Sequence, residues 1–554
     1  MEANLFPDMD GKEAGAASIE SEGFYRQKRQ AFKKYEVNTA YLFPLSTDDY
    51  ISKNHIARLI HAIVDKLDLR EIIDSYKGGG ASAYSPVMLL SVWLLGFVSG
   101  IYTSRKLEQA LKENIAFIWI SGQSEPDFRT LNNFRLRLGN DIKGIFKQVV
   151  ICGIQLGYIR GEEVFVDHTK LEANANSHKM IWKKQVDRRL EEIEVELDSL
   201  FQYIDDLNNR EDKEYGDKGL CDGGNLDYAK IDEVIRDFNE QIKDMAKGEA
   251  REAKSKLKRT KGLIEKREGY KEKQEILGER KSYSRTDPDA VAMLQKDKES
   301  IKASYNEGIA VENGFVLDYE IGQNAADNVG FKGIIEGVIE NIDKVPERVH
   351  ADGAYGSEEN MVYLEENGIE NFLKYNTYFR EHKKSWREEK LRREDFGRDE
   401  DRDVYICPAG KVLEFYGKHE KITATGYHQR LREYKAKEED CAACALKEQC
   451  TRGRAKSIEV SLEYERLKVE ARANLDSELG KELRRQRGNR VESIFGDRKF
   501  NKQYKRYFLR GLSKVNIESG LYYIAVNIKK ISTYLKGLFN IEGKQIETIC
   551  LGMT

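Results

Sequence analysis

The stretch EVFVDHTKLEANAN, residues 163–176, sets an acidic residue at the end of an apolar run. Val164, Phe165 and Val166 are β-branched or aromatic, which is typical of a buried strand. The run stops on Asp167, and the chain then becomes polar and small. In α/β sheets, functional side chains gather at the carboxyl ends of strands. The stretch therefore predicts a buried strand that carries a candidate functional carboxylate.

A second stretch repeats this arrangement. In ERVHADGAYG, residues 347–356, a short apolar strand ends on Asp352. Between the two aspartates, β-like runs flank Asn313-Gly314, which is a hairpin signal. Residues 330–342 have the apolar spacing of an amphipathic helix. This succession of strands, a hairpin and helices predicts an α/β fold with mixed strand directions.

A third acid, Glu492, lies in the Arg- and Lys-rich stretch RRQRGNRVESIFGDRKF, residues 484–500, which predicts an amphipathic helix. Three carboxylates suit the hard cation Mg²⁺, and a pair of such ions activates a water or a 3′-hydroxyl in phosphodiester chemistry. The basic neighbours suit the phosphates of DNA; they are Arg487, Arg490, Arg498 and Lys499. Spacing leaves a plainer alternative open, since strand-end aspartates are often turn residues and a glutamate in a basic helix often forms intrahelical ion pairs.

Length and composition limit the class of protein. A chain of 554 residues is too long for one core and predicts two to four structural units. Its net charge is only −3, so a surface that binds nucleic acid must be local. We expect a cytoplasmic protein, because no basic and then apolar export signal opens the sequence. The longest apolar run, residues 87–98, is too short for a membrane span and predicts a buried helix.

The region before the first strand predicts a helical domain behind a polar arm. Residues 1–40 are polar with a basic patch, and residues 41–158 have the apolar spacing of helices. One of these helices contains Arg129, Arg135 and Arg137. Such a helix is typical either of a helix-turn-helix unit that reads DNA or of a plain helical bundle with solvated arginines.

Residues 181–280 predict a coiled-coil hairpin inserted into the core. Its first half has apolar residues four and three apart, as in a heptad seam: Val186, Leu190, Ile193, Leu197, Leu200, Ile204 and Leu207. A Gly- and Asp-rich turn separates them from a second series: Ile231, Ile235, Phe238, Ile242 and Met245. An inert insertion is the simplest interpretation, and a role in dimer contact or in clamping DNA is the alternative.

Four of the seven cysteines lie between residues 407 and 450. Cys441 and Cys444 form a CxxC pair, and Cys407 and Cys450 lie on either side of it. Four thiolates suit a structural Zn²⁺ site, and so few cysteines in so long a chain do not suggest a disulfide scaffold. The pattern favours zinc, with a set of reduced thiols in a small β-rich insertion as the alternative.

Several of these stretches resemble the DDE transposases of bacterial insertion sequences, which have a ribonuclease-H-like core. Residues 85–122 and 125–139 resemble the N-terminal domain of that family. The stretches FVDHTKLEANAN, VHADGAYGSEEN and RGNRVESIFGDRKF resemble the blocks around its first catalytic Asp, its second and its Glu. The resemblance implies these parts: a polar arm (1–40), a helical DNA-binding domain (41–158), a mixed-sheet α/β core (159–180, 281–400 and 461–540), the coiled-coil hairpin (181–280), a cysteine-bearing β-rich insertion (401–460) and a tail (541–554).

The resemblance also implies roles for particular residues. It makes Asp167, Asp352 and Glu492 a catalytic triad that binds Mg²⁺ or Mn²⁺. Lys499, seven residues after the glutamate, matches the lysine of the family's Tyr-Arg-Glu-Lys signature, which contacts DNA phosphate. Gly488 stands where that signature has arginine, and no tyrosine precedes it at the usual spacing. Arg487 is therefore the nearest substitute.

The implied function is transposition. Such an enzyme binds the terminal inverted repeats of its insertion sequence, cuts a phosphodiester there and joins the freed 3′-hydroxyl to target DNA. Two ends imply a homodimer on double-stranded DNA, associated with the bacterial nucleoid. Three alternatives remain: a related nuclease without strand transfer, a domesticated DNA-binding protein without catalysis, and a scaffold protein whose function depends on the coiled-coil hairpin.

Overall fold

The computed structural model describes residues 46–76, 82–139, 141–215, 247–295, 299–388 and 391–538. The expected basic arm, the second apolar series of the hairpin and the expected tail lie outside these ranges. The described strands are β1 (Glu163–Glu172), β2 (Met180–Trp182), β3 (Ser282–Ser284), β4 (Val291–Leu294), β5 (Ile301–Glu312), β6 (Phe315–Gly322), β7 (Arg348–Ala351), β8 (Glu370–Leu373), β9 (Gly397–Asp399), β10 (Val404–Ile406), β11 (Val412–Ile422), β12 (His428–Ala436) and β13 (Ser457–Val460).

Helices precede, interrupt and follow these strands. They are α1 (Ile56–Val64), α2 (Arg70–Asp74), α3 (Pro86–Ser99), α4 (Ser104–Glu113), α5 (Ile115–Ile120), α6 (Phe128–Arg137), α7 (Asp141–Gln155), α8 (Lys183–Tyr215), α9 (Lys247–Leu277), α10 (Phe331–Ile342), α11 (Glu358–Glu366), α12 (Tyr378–Glu381), α13 (Lys384–Glu388), α14 (Glu438–Ala442), α15 (Lys447–Cys450), α16 (Leu462–Asp476), α17 (Glu478–Arg487), α18 (Ser493–Gly496) and α19 (Leu512–Leu538). Short 3-10 helices span Thr47–Tyr50, Asp327–Gly330 and Arg393–Asp395, and wide π-helical turns span Gly488–Glu492 and Asp497–Asn501.

The main sheet is mixed, with β1 at its centre. Strand β1 pairs antiparallel with β5 and parallel with β7, and β7 pairs parallel with β8. Strand β5 also pairs antiparallel with β4 and β6. Asn313 and Gly314 join β5 to β6 with φ angles of 51° and 82°, the positive values that a tight hairpin requires. The predicted hairpin and the predicted mixture of strand directions are therefore confirmed.

Helix α19 packs closely against strand β6 and helix α7. The Asn527 side chain on α19 accepts a hydrogen bond from the backbone N–H of Val316 at 2.9 Å and donates one to the carbonyl of the same residue, also at 2.9 Å. A Cβ atom at Gly520 would stand 2.4 Å from Ile142 and 2.5 Å from the Tyr319 hydroxyl. Glycine at this position therefore permits the close approach of the three elements.

The N-terminal helices form part of the same hydrophobic core. Helix α3 is buried along most of its length, which confirms the predicted buried helix. The Trp93 indole N–H on α3 donates to the carbonyl of Leu131 on α6 at 3.0 Å. Among the described helices, none taken singly is long and apolar enough to cross a membrane, and only the sharply bent pair of α3 and α4 passes on length and composition together.

Two long helices, α8 and α9, leave and rejoin the core through the paired strands β2 and β3. They run antiparallel, because Arg259 bonds to Glu196 near the middle of the pair and Gln274 bonds to Asp187 near the end that joins the core. Most of the first predicted seam is buried: Val186, Leu190, Ile193, Leu197 and Leu200. Its described partners lie on α9 and include Ala253, Leu257 and Leu263.

A separate antiparallel sheet holds the cysteine-bearing region, with the strand order β13-β12-β11-β10-β9. Its core is small and consists largely of aromatic and branched residues: Phe396, Tyr405, Leu413, Tyr434, Ala436, Ile458 and Val460. The Tyr427 hydroxyl donates to Glu358 of α11 at 3.0 Å. The predicted β-rich character of this region agrees with the structure, although the sheet begins slightly earlier, at Gly397.

Candidate active site

The first two acids come from neighbouring parallel strands. Asp167 lies on β1, whose Phe165 is in register with His350 of β7. Asp352 follows directly after the end of β7. Parallel strands bring equivalent positions to the same edge of the sheet. The strand does not end on Asp167 as predicted, because β1 continues to Glu172 and stays paired with β5. The two aspartates are neighbours because the parallel register of β1 and β7 aligns their positions.

The third acid, Glu492, ends a π-helical turn, Gly488–Glu492, that follows α17. A π turn contains an extra residue, so it changes the direction in which the following side chains point. The sequence predicted a regular amphipathic helix here, and the structure has α-helical and π-helical turns in alternation. Apolar periodicity does not reveal such a change, because Val491 and Ile494 are buried all the same.

The guanidinium group of Arg487 lies at the point where the three acids meet. Its Nη2 atom is 3.1 Å from Oδ1 of Asp167 and 3.5 Å from Oδ2 of Asp352. Its Nη1 atom is 3.4 Å from Oε1 of Glu492. We call Asp167, Asp352 and Glu492 the three-acid cluster. Carboxylates from three distant stretches of sequence thus share one cationic neighbour.

The three acids of this cluster differ in their exposure to solvent. The Asp167 side chain is 10% exposed, that of Asp352 is 39% exposed and that of Glu492 is 58% exposed. Carboxylate oxygens are the ligands that Mg²⁺ and Mn²⁺ prefer, so the donor set fits a divalent cation. Within the described ranges, however, no group of three or more His, Cys, Asp or Glu side chains is arranged so that it could hold a metal ion. In the three-acid cluster, the guanidinium stands between the carboxylates.

Lys374 is a further basic residue at this edge of the sheet. It follows β8 as Asp352 follows β7, and its side chain is buried. Burial first, and then the charge of Arg487, lower the pKa of Lys374 to about 8, while the charge of Asp352 opposes this. The sequence analysis missed Lys374, although the strand-end rule that selected Asp352 also applies to it.

Tyr355 and His168 form a buried pair beneath the aspartates. The Tyr355 hydroxyl lies 2.6 Å from Nδ1 of His168. Burial lowers the pKa of His168 to about 4, so its imidazole is neutral at neutral pH. The pair fixes the strand next to Asp167. Neighbouring side chains alternate between the two faces of a strand, so His168 and Asp167 lie on opposite faces of β1.

The expected phosphate contact of Arg498 is wrong. Its side chain and that of Glu307 are both fully buried, and the two form an ion pair. A guanidinium in the core cannot reach DNA. The sequence could not reveal this, because Glu307 lies on β5, far away along the chain.

The expected DNA contact of Arg135 is wrong for a similar reason. Arg135 is buried, its guanidinium lies 4.5 Å from the centre of the Trp93 ring, and its Nη2 atom donates to Asn132 at 2.8 Å. Arg137 and Arg129 on the same helix are exposed. Arg137 donates to the carbonyl of Ser75 at 2.9 Å, so it also braces the helical domain.

Two other predicted phosphate ligands already have protein partners. The Lys499 ammonium donates to the Thr169 hydroxyl at 2.6 Å and to the carbonyl of Lys170 at 2.7 Å. Arg490 donates to Asn313 at 2.8 Å. These bonds attach the segment that carries Glu492 to β1 and to the hairpin of β5 and β6. Phosphate contacts for the two side chains stay predictions.

The four clustered cysteines line one small pocket beside Pro408 and Leu446. They are thiols, and none of them is in a disulfide. The Cys407 sulfur accepts a hydrogen bond from the backbone N–H of Lys411 at 3.3 Å, and the Cys441 sulfur accepts one from Lys456 at 3.5 Å. The described residues contain no preformed metal group, and this holds for the cysteines as well.

Comparison with known protein families gives two matches. A family model described as a transposase DDE domain matches residues 406–532, which contain Glu492 and Arg487. A second model, described as a transposase domain, matches residues 45–137, which contain helices α1 to α6. No curated protein and no solved structure matches the chain significantly.

Proposed function

We propose that the chain, whose two transposase matches support a DDE transposase of an insertion sequence, cuts DNA at the ends of its element and joins those ends to a target. The catalytic residues in this proposal are the three-acid cluster. Mg²⁺ or Mn²⁺ is the cofactor that these carboxylates suit. The sheet, antiparallel on one side of β1 and parallel on the other, supports a ribonuclease-H-like core.

One observation carries the proposal. Asp167, Asp352 and Glu492 are remote in the sequence, and each lies within 3.5 Å of the same guanidinium. Gathering three acids is electrostatically unfavourable unless a cation neutralises them. Folds keep such an arrangement where it serves a function, which makes the cluster the natural candidate for the reaction centre.

The chemistry follows from the donor set. Divalent ions bound to these carboxylates would activate the attacking water or 3′-hydroxyl and stabilise the leaving oxygen. The chain itself contributes orientation, since Asp167 is held on the central strand and Asp352 is held at the end of β7. Glu492 is the most exposed acid and lies on an irregular helix, so it remains accessible to DNA from the open side.

The test uses a labelled duplex that carries the DNA flanking this gene, with Mg²⁺, under single-turnover conditions. Asp167→Asn, Asp352→Asn and Glu492→Gln should each slow cleavage at least about 100-fold, because several kcal/mol of transition-state stabilisation are lost. Duplex binding should persist. The matched control is Glu340→Gln, a change in an exposed acid of α10, and it should cleave normally. Normal cleavage by Asp352→Asn would refute the assignment.

Strand transfer separates a transposase from the related nuclease. Pre-cut ends supplied with a supercoiled target should give joined products with the wild type. Release of cut ends without any joined product would favour the nuclease alternative. The three acids make the domesticated, non-catalytic alternative the weakest of those considered, because such a protein has no need to keep them.

DNA recognition and assembly form a further part of the proposal. We assign the element ends to the helical domain, with the exposed Arg129 and Arg137 as its DNA-facing residues, and phosphate contacts to Lys499 and Arg490. Lys499→Ala should weaken binding and reduce its salt dependence. Cleavage at two ends implies a homodimer on DNA in the cytoplasm, next to the nucleoid. Chemical crosslinking with and without DNA tests the dimer.

We also propose a structural Zn²⁺ site in the cysteine-bearing sheet. The four thiols share one pocket, and two sulfurs accept backbone N–H bonds, as zinc thiolates do. Native mass spectrometry should detect one zinc per chain, and Cys444→Ser should lose it. Protein purified without chelator that contains no zinc would refute the site and favour reduced thiols.

A further inference from the structure

Arg487 is largely buried, and two of its three acidic partners are open to solvent. Its side chain is only 12% exposed, whereas Asp352 and Glu492 open towards solvent. Its Nε atom is buried and has no hydrogen-bond partner within the described part of the chain. The guanidinium is therefore held mainly by the carboxylates that its two terminal nitrogens face.

A guanidinium and a divalent cation at this point exclude each other. Both need the inward-facing oxygens of the same three carboxylates, and both are positive, so they repel at such short range. Arg487 is the last residue of α17, directly before the π-helical turn. Arg487 is carried by a helix and not by the sheet, so a change of its side-chain rotamer would release the carboxylates without moving β1 or β7.

We propose that Arg487 is a built-in counter-cation that competes with divalent metal ions for the three-acid cluster. The inference rests on the proposed function, since it concerns the same carboxylates. Without DNA, the guanidinium neutralises the acids and keeps the affinity for metal low. A DNA phosphate offers the guanidinium a new partner and so frees the carboxylates. Binding of DNA and binding of metal then favour each other, and by linkage the effect is reciprocal.

The test measures Mn²⁺ binding to the full chain by electron paramagnetic resonance, without DNA. Arg487→Gln keeps most of the side-chain volume and removes the charge, and it should bind Mn²⁺ at least about tenfold more tightly than the wild type. Arg487→Lys keeps the charge and should stay near the wild type. The matched control is Arg485→Gln, because Arg485 lies on the same helix as Arg487 and its ion pair is with Glu482, outside the three-acid cluster. It should bind Mn²⁺ as the wild type does.

A second measurement tests the coupling to DNA. Addition of a phosphate-rich duplex should tighten Mn²⁺ binding by the wild type and leave that of Arg487→Gln nearly unchanged. Equal Mn²⁺ affinity of the wild type and Arg487→Gln, or weaker binding by the variant, would overturn the inference. Thermal melting of each variant verifies that it is folded before the comparison is made.

The Asp352→Asn variant separates failure of this inference from failure of the proposed function. If it loses Mn²⁺ binding while Arg487→Gln binds like the wild type, the metal site stands and only the competition is wrong. If Asp352→Asn binds Mn²⁺ as well as the wild type does, the carboxylates hold no metal. Both the inference and the proposed function then fail.

Discussion

At the scale of single residues, the ion pair of Glu307 and Arg498 holds the core together where β5 meets α19. The Ser519 hydroxyl donates to Glu307 at 2.5 Å, and the rings of Tyr504 and Tyr522 lie 4.4 Å from the guanidinium carbon. Removal of one partner leaves the other charge buried and uncompensated, which costs about 3–5 kcal/mol. Arg498→Met should lower the free energy of unfolding by this amount, as measured by urea denaturation at neutral pH.

Two comparisons sharpen this prediction. Adding Glu307→Gln to Arg498→Met should restore part of the lost stability, because no unpaired charge remains. Arg490→Met is the matched control, since Arg490 is half-buried and donates hydrogen bonds to the neutral side chains of Asn313 and Gln486. This substitution should change the free energy of unfolding by no more than about 1 kcal/mol. An Arg498→Met protein of unchanged stability but weakened DNA binding would restore the phosphate role.

Glu320 on β6 gives a pH-dependent prediction. Burial, and then the charge of Asp318, raise the pKa of Glu320 from 4.5 to about 7. Since the folded pKa exceeds the unfolded one, the folded state binds the proton more tightly. The stability that this contributes is present below about pH 4.5 and is lost as the pH rises through about 7.

Glu320→Gln stays neutral and escapes this loss. Its free energy of unfolding, minus that of the wild type, should increase by up to about 3 kcal/mol between pH 4.5 and pH 8. The pKa of His168 is shifted in the opposite direction, from 6.5 to about 4, so its contribution to stability is lost as the pH falls below 6.5. This effect occurs in both proteins and cancels in the difference. A difference that does not change with pH would contradict the prediction.

The choice of the two aspartates was predictable from the sequence, whereas the end of β1, five residues after Asp167, and the burial of two arginines were not. Asp167 and Asp352 could be selected because each follows a short apolar run, and β1 and β7 are neighbours in the sheet. Arg135 and Arg498 could not be distinguished from exposed arginines in the sequence, because a sequence gives the charge of a residue but not its tertiary contacts. Their partners, Trp93 and Glu307, are brought to them only by the tertiary fold.

At the scale of elements, the contact of α19 with α7 and β6 depends on Gly520. An added Cβ would collide with Ile142 and with the Tyr319 hydroxyl, and overpacking of a core typically costs 1–3 kcal/mol. Gly520→Ala should therefore lower the free energy of unfolding by about this amount, although alanine has the higher helix propensity. Chemical denaturation measures the change.

Gly262 in α9 is the matched control for this change. Nothing lies within 4 Å of the Cβ that an alanine would add there. Gly262→Ala should follow helix propensity alone and stabilise the protein by about 0.5–1 kcal/mol. If both substitutions are stabilising, the close packing of α19 on α7 is wrong.

The alternation of α-helical and π-helical turns around Glu492 could not be predicted from the sequence. The buried positions Val491 and Ile494 are spaced as in any amphipathic helix, so the apolar pattern alone predicts a regular one. The two π-helical turns carry Arg490 and Lys499, which bond to the β5–β6 hairpin and to β1, contacts that the apolar pattern does not reveal. In the same way, the sequence revealed the first seam of the long hairpin, whereas its described partner lies further along the chain, on α9.

At the scale of the whole molecule, acids from three remote stretches meet at Arg487, where we propose one metal-dependent site. The sheet brings two of them together, and the segment after α17 brings the third. Helices α1 to α7 and α19 share the hydrophobic core of this sheet.

Anomalous diffraction from crystals grown with Mn²⁺ tests this claim most directly. We expect a manganese peak in the anomalous difference map in contact with the carboxylates of Asp167 and Asp352, with the Arg487 guanidinium displaced from between them. A saturating concentration of Mn²⁺ that leaves Arg487 on all three acids, with the metal bound elsewhere, would contradict it.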